Sequence, residues 1–172
     1  IRQINRNPLL YRDLSADGLK TGHTMKSGYG LTASATNGYR RLILVVNGLP
    51  NKKARRKEPE RLLTWGFREF NNYKLFSAGE KVVDANVWLG MQTSVGLVSK
   101  KELLITLPRK LRRKMKVVIQ YDSPISAPIF KGDKLAKLLV TVPGEDDFAA
   151  VLSADKDIKK LSFFGSLGPA IR

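Results

Sequence analysis

Apolar residues are spaced in two different ways along this chain of 172 residues. In the first third they gather into short β-type segments. Leu19–Thr24, Tyr29–Thr36 and Arg40–Asn47 read as three strands. In the third, Leu42, Ile43, Leu44, Val45 and Val46 form a near-continuous apolar run, which predicts a strand covered on both faces. Asn37-Gly38 between the second and third predicts a tight hairpin, because both residue types accept positive φ. Residues 1–16 contain Pro8, Asn5, Asn7 and Asp13 and hold no sustained period, so they read as an approach loop.

The spacing then changes. Leu63, Phe67 and Phe70 recur at i, i+4 and i+7, flanked by Leu62 and Trp65, and predict one amphipathic helix to about Tyr73. Pro59 between Glu58 and Glu60 suits the start of that helix: its φ is preset and the acids sit at the positive end of the dipole. The stretch before it, with Lys52, Lys53, Arg55, Arg56 and Lys57, then reads as a basic loop; an earlier start would put Pro59 in the first turn or kink the helix.

Beyond Phe76 the helical period is gone. Lys81–Leu89, Glu102–Leu107, Met115–Tyr121, Ala136–Val142 and Phe148–Leu152 read as strands, separated by Gly90, Pro108, Pro124, Pro128, Gly132-Asp133 and Pro143-Gly144. This spacing predicts a small β-sandwich. The expected fold class is α+β, with residues 1–76 forming antiparallel strands plus a helix and residues 77–172 a β-rich domain. The tail Leu161–Arg172 is apolar but broken by glycine and proline; it reads either as a frayed end or as the approach to an amphipathic membrane anchor.

Charge narrows the partners. Thirty-one Lys+Arg against 15 Asp+Glu give +16, which draws the chain to polyanions. The cations concentrate at Lys52–Lys57 and in Arg109, Lys110, Arg112, Arg113, Lys114 and Lys116. Neither cluster carries interleaved aromatics or a recognised nucleic-acid module, so nucleic acid is not the expected partner. The remaining readings are solvated loops, or attraction to anionic lipid or wall polymer at about 1 kcal/mol per cation near the surface. The longest apolar runs, such as Leu42–Val46, fall far short of the ~20 residues of a membrane span. With no cysteine, disulfides, thiolate catalysis and cysteine zinc sites are excluded. His23 is the only histidine; with Asp17 alone nearby it makes neither a zinc site nor a Ser-His-Asp triad.

The chemistry-bearing stretch is Asp17-Gly18-Leu19-Lys20-Thr21-Gly22-His23-Thr24. On an edge strand it would let an extended peptide pair with its backbone. Gly22 permits close approach, Thr21 offers a hydroxyl, and Lys20 adds positive potential. Lys-Thr-Gly is the third motif of the penicillin-recognising serine acyl-transferases. Together with Gly28-Tyr29, residues 31–35 (Leu-Thr-Ala-Ser-Ala), residues 3–7, 62–67, Val87-Trp88-Leu89-Gly90, residues 124–129 and Lys131-Gly132-Asp133, it resembles the D-alanyl-D-alanine carboxypeptidases, the low-molecular-mass penicillin-binding proteins. The resemblance covers nearly the whole chain.

That resemblance implies a transpeptidase-like domain followed by a β-rich domain. It implies an enzyme of the bacterial periplasm or of the outer face of the cytoplasmic membrane that removes the terminal D-alanine of a peptidoglycan stem peptide through an acyl-enzyme. β-Lactams are then inhibitors, and no metal or organic cofactor is needed. Lys20, Thr21 and Gly22 are the implied catalytic residues. Thr21, His23 (through its N–H) and Thr24 are the implied substrate and oxyanion contacts. The family's Ser-x-x-Lys and Ser-x-Asn motifs are absent; the one Ser-x-x-Lys, Ser153-Ala154-Asp155-Lys156, follows Lys-Thr-Gly and lies in the wrong domain. The chain is therefore expected to be the C-terminal part of such an enzyme, inactive alone, with apolar surface exposed in residues 1–75. Alternatives are a related β-lactamase or endopeptidase, or a non-catalytic basic envelope-binding module.

Overall fold

The computed structural model describes residues 4–162, which fall into two units that divide between Asn72 and Tyr73. Gln3 and most of the apolar tail, residues 163–172, lie outside the described residues. The fold is α+β and rich in strands, as the sequence predicts.

In the first unit, β1 (Ala16–Thr24), β2 (Gly28–Asn37) and β3 (Arg40–Leu49) form an antiparallel sheet in that order. Each strand is longer than its apolar run. The β2–β3 loop is Gly38-Tyr39, because Asn37 still pairs with Arg40. Positive φ is needed at Gly38 alone (59°), where the sequence reading placed it at both Asn37 and Gly38. Residues Pro8–Tyr11 are not a loop but a 3-10 turn whose N-cap, Asn7, accepts the Leu9 N–H. Leu9 is fully buried beneath it.

The helix starts seven residues earlier than Pro59: α1 spans Lys52–Glu69. Asn51 caps it, its side-chain oxygen accepting the Ala54 N–H at 2.8 Å. A strong cap followed by good helix formers outweighs the one bond that Pro59 removes from the Arg55 carbonyl. The basic stretch is therefore the first turns of a helix and not a loop. At the other end the helix stops at Glu69, and Phe70–Phe76 is a strand, β4. α1 lies close on the sheet: a Cβ at Gly66 would sit 2.9 Å from Leu42 Cδ1. Leu63 and Phe67 pack there with Leu9, Leu31, Ala33, Ala35, Leu42, Leu44 and Val46. Cover is one-sided. Ile43 and Val45 are 68% and 62% exposed, so the expectation that β3 is covered on both faces does not hold.

The second unit has its own core, built on Leu97, Leu138, Val140, Leu152 and Ile158. β5 (Lys81–Trp88), β6 (Ser94–Ser99), β8 (Lys116–Gln120), β9 (Ile125–Ser126), β10 (Lys134–Thr141) and β11 (Phe148–Ala154) make a six-stranded sheet in the order β8-β10-β11-β6-β5-β9. β7 (Leu103–Pro108) pairs with β4. Inward residues alternate along β7 and β10, as a half-covered strand requires. The sequence reading missed β6, β9 and β4.

Candidate active site

Among the described residues β1 is the outermost strand of its sheet, so Lys20-Thr21-Gly22-His23-Thr24 runs along a sheet edge. The N-terminal half of that edge is occupied. Asn7 Nδ2 donates to the Gly18 carbonyl at 2.6 Å, and Asn5 Nδ2 donates to the Leu19 carbonyl at 3.2 Å. Asn7 is fully buried and also receives the Leu9 N–H, so the 3-10 turn and the strand are locked together. From Lys20 onward these side chains leave the edge open. Ile4, Asn5, Arg6, Lys20 and Thr21 line a polar groove at that point.

Lys20 is exposed, and its Nζ donates to the Thr21 carbonyl at 3.0 Å. Thr21 itself is 9% exposed, pressed into the sheet opposite Leu31. Gly22 faces open space: a Cβ there would meet no atom within 4 Å. His23 stacks on Tyr29, its partner across the ladder, with ring centroids 3.9 Å apart and planes 14° from parallel. Its Nδ1 lies 3.1 Å from the Gly28 carbonyl, a bond in which Nδ1–H donates. Thr24 plays a local part: its hydroxyl accepts the Ser27 N–H and closes the turn between β1 and β2.

The sequence reading missed Arg55. From the first turn of α1 its Nη1 donates to the Gly22 carbonyl at 3.3 Å. Its guanidinium carbon lies 5.3 Å from the Tyr29 ring centroid, within cation–π range. Its Nε is buried and has no hydrogen-bond partner among the described residues. A buried guanidinium N–H left unpaired is costly. The signal in the sequence was Asn51 as a helix cap, which would have put Arg55 on a rigid turn.

On the other side of β1, Asp17 accepts Nη1 of Arg41 at 2.8 Å, and the same nitrogen bonds the Ser34 hydroxyl. The bond from Arg41, then that from Ser34, holds the Asp17 carboxyl below its ordinary range. Ser153 of the out-of-place Ser-x-x-Lys is 2% exposed on β11, and Asp155 accepts the Gly96 N–H. No acyl-transfer geometry surrounds it.

The chain is similar to known proteins over most of its length. Residues 70–160 match the family model of the penicillin-binding protein 5 C-terminal domain, and residues 1–51 match that of D-alanyl-D-alanine carboxypeptidase. The D-alanyl-D-alanine carboxypeptidase DacA of Haemophilus influenzae is 37% identical over 170 residues, 97% of this chain and 43% of that protein. DacA of Escherichia coli is 36% identical over 169 residues, 97% of this chain and 42% of that protein. A crystal structure of penicillin binding protein 5 from Haemophilus influenzae superposes with a TM-score of 0.80 at 37% identity, covering 93% of this chain and 47% of that one. The chain thus spans less than half the length of these relatives.

Proposed function

We propose, from the premise that this chain belongs to the penicillin-binding protein 5 family of D-alanyl-D-alanine carboxypeptidases, that it forms one wall of a serine acyl-transfer site that trims stem peptides ending in D-Ala-D-Ala. The observation that carries this reading is the open stretch of β1 from Lys20 to His23, with Arg55 held against the Gly22 carbonyl. An extended peptide adds to that edge by backbone bonds, and Gly22 leaves room for it.

The roles divide along the edge. Arg55, held at the Gly22 carbonyl through Nη1, supplies the positive charge that attracts the terminal carboxylate. Lys20, a flexible cation at the groove, steers the serine proton and balances the charge of the tetrahedral intermediate. The His23 N–H points a donor at the developing oxyanion. The serine oxygen attacks the carbonyl of the penultimate residue, the C–N bond breaks, D-alanine leaves with the proton, and water then releases the acyl group. The serine comes from outside these 172 residues. β-Lactams acylate the same serine because their ring carbonyl and carboxylate match the substrate's.

The second unit is a spacer and docking module at the envelope. A specific observation favours contact with an anionic membrane surface. Trp88, Met91 and Phe130 are 57%, 66% and 63% exposed on segments tied together by the bonds Ala127 N–H to Trp88 O, Met91 N–H to Lys159 O and Ile129 N–H to Ile158 O. Lys131, Lys159 and Lys160 stand exposed around them. Exposed aromatics beside lysines suit the headgroup zone.

The test is D-alanine release. The full-length protein that contains this chain should liberate D-alanine from a diacyl-lysyl-D-Ala-D-Ala peptide and stop after benzylpenicillin treatment. Rapid turnover of β-lactam without D-alanine release would point to the β-lactamase alternative, and absence of both activities to a binding module.

A further inference from the structure

β8 is the outer strand of the six-stranded sheet; it pairs with β10 and with no strand on its other side among the described residues. Edge strands are usually guarded by a bulge, a proline, short length or a charge along the edge. β8 has neither bulge nor proline, and its one charge is Lys116 at its start. Its register with β10 is unbroken from Lys116↔Thr141 to Gln120↔Lys137. Its middle is Val117-Val118-Ile119, with Val117 41% and Val118 50% exposed.

A fixed cationic turn leads into that edge. The 3-10 turn Arg109–Lys114 exposes Arg109, Lys110, Arg112, Arg113 and Lys114, and Lys116 opens the strand. Leu111 and Met115 pack against the core from between them. The Arg112 guanidinium lies 5.2 Å from the Tyr73 ring. The cations are therefore presented by the fold, not left on a loose loop. None of the six forms an ion pair with a carboxylate among the described residues.

We propose that β8 and the turn before it are a docking edge for an extended, acidic segment of a partner protein. Such a segment would use all three features: the free backbone row, the exposed Val117 and Val118, which alternate between the two faces of the sheet, and the cations. A second copy of this chain fits less well: two-fold pairing of β8 with β8 is antiparallel, leaves the two cation clusters at opposite ends of the strand and gives neither an acidic partner. A lipid surface would use the charge but leave the strand edge unused. This inference is independent of the acyl-transfer reading and goes beyond it.

The test uses the whole chain and a fluorescein-labelled decapeptide of alternating glutamate and valine, followed by anisotropy at low salt. The control is the same peptide with every backbone nitrogen methylated, which keeps its charge and removes its donors. The parent peptide should bind at least about tenfold more tightly than the methylated one. It should also protect the amides of Val117–Ile119 from hydrogen exchange. The pair of exposed substitutions Arg113→Glu and Lys114→Glu should weaken it by about tenfold or more. Equal affinity for the two peptides would reduce the site to charge alone and overturn the proposal. So would failure of the acidic peptide to bind at low salt.

Discussion

The guanidinium of Arg55 lies 5.3 Å from the centre of the Tyr29 ring, on which His23 also stacks at 3.9 Å. One aromatic ring thus fixes two donors at the end of the Lys-Thr-Gly strand. Arg55 reaches the Gly22 carbonyl from there, which sets its charge beside the strand edge of the proposed site. Replacing Arg55 with alanine should slow acylation by a carboxylate-bearing substrate by about 10–100-fold, the worth of one charge-assisted hydrogen bond. A substrate whose terminal carboxylate is amidated should react at nearly the same rate with both proteins. Stopped-flow acylation of the full-length protein with the two substrates checks this.

Lys20 is exposed and bonds only the carbonyl of its neighbour, so the fold does not need it. The Lys20→Ala variant should keep the wild-type melting temperature. Its acylation rate should fall by about 10²–10³-fold, as for loss of a group that stabilises transition-state charge. Parallel differential scanning fluorimetry and penicillin acylation kinetics measure the two effects.

Asn7 is the buried clamp of the strand edge, with bonds to the Gly18 carbonyl and from the Leu9 N–H. Asn7→Ala should destabilise the first unit by about 1–3 kcal/mol, the cost of leaving buried backbone groups unpaired. The second unit has a separate core, and there Leu138→Ala should cost about 2–5 kcal/mol. Urea denaturation followed by residue-resolved hydrogen exchange should show each loss confined to its own unit.

Asp17 gives the acid limb of stability. Arg41, then Ser34, lowers its folded-state pKa below the ordinary 3.8. A depressed carboxylate contributes stability that is fully present above the unfolded value and is lost as pH falls through the folded value. Wild type should therefore be more stable than Asp17→Asn above pH 3.8, with the gap closing as the pH falls below it. Melting curves across that range test the sign; a gap that widens toward acid would contradict it.

Much of the first sheet was legible because strand pairing follows local apolar runs and a glycine turn. The exposure of Ile43 and Val45 agrees with the apolar surface expected of residues 1–75, but which face stays open was not legible, since an apolar run looks the same whether one face or two is covered. The helix start was misread because Pro59 is a common first residue, while the cap that decides the matter is Asn51. That error hid Arg55 by placing it in a loop. β4 was hidden because Phe70 continues the helical spacing of Leu63 and Phe67. β6 was hidden by Gly96, which breaks the strand pattern. The structure supplies its reason: a Cβ there would collide with the Asp155 carboxylate, which caps the Gly96 N–H. The Lys-Thr-Gly motif needed no tertiary context to be found; the asparagine clamp and the Arg55 cation did.

The most direct measurement is intact-protein mass spectrometry of the full-length protein after brief exposure to benzylpenicillin, run beside Lys20→Ala and Arg55→Ala. If β1 from Lys20 to His23 is the wall of an acyl-transfer site, wild type should gain one penicilloyl mass within seconds, and both variants should gain it far more slowly. Labelling at the same rate in all three proteins, or no adduct in any, would contradict it.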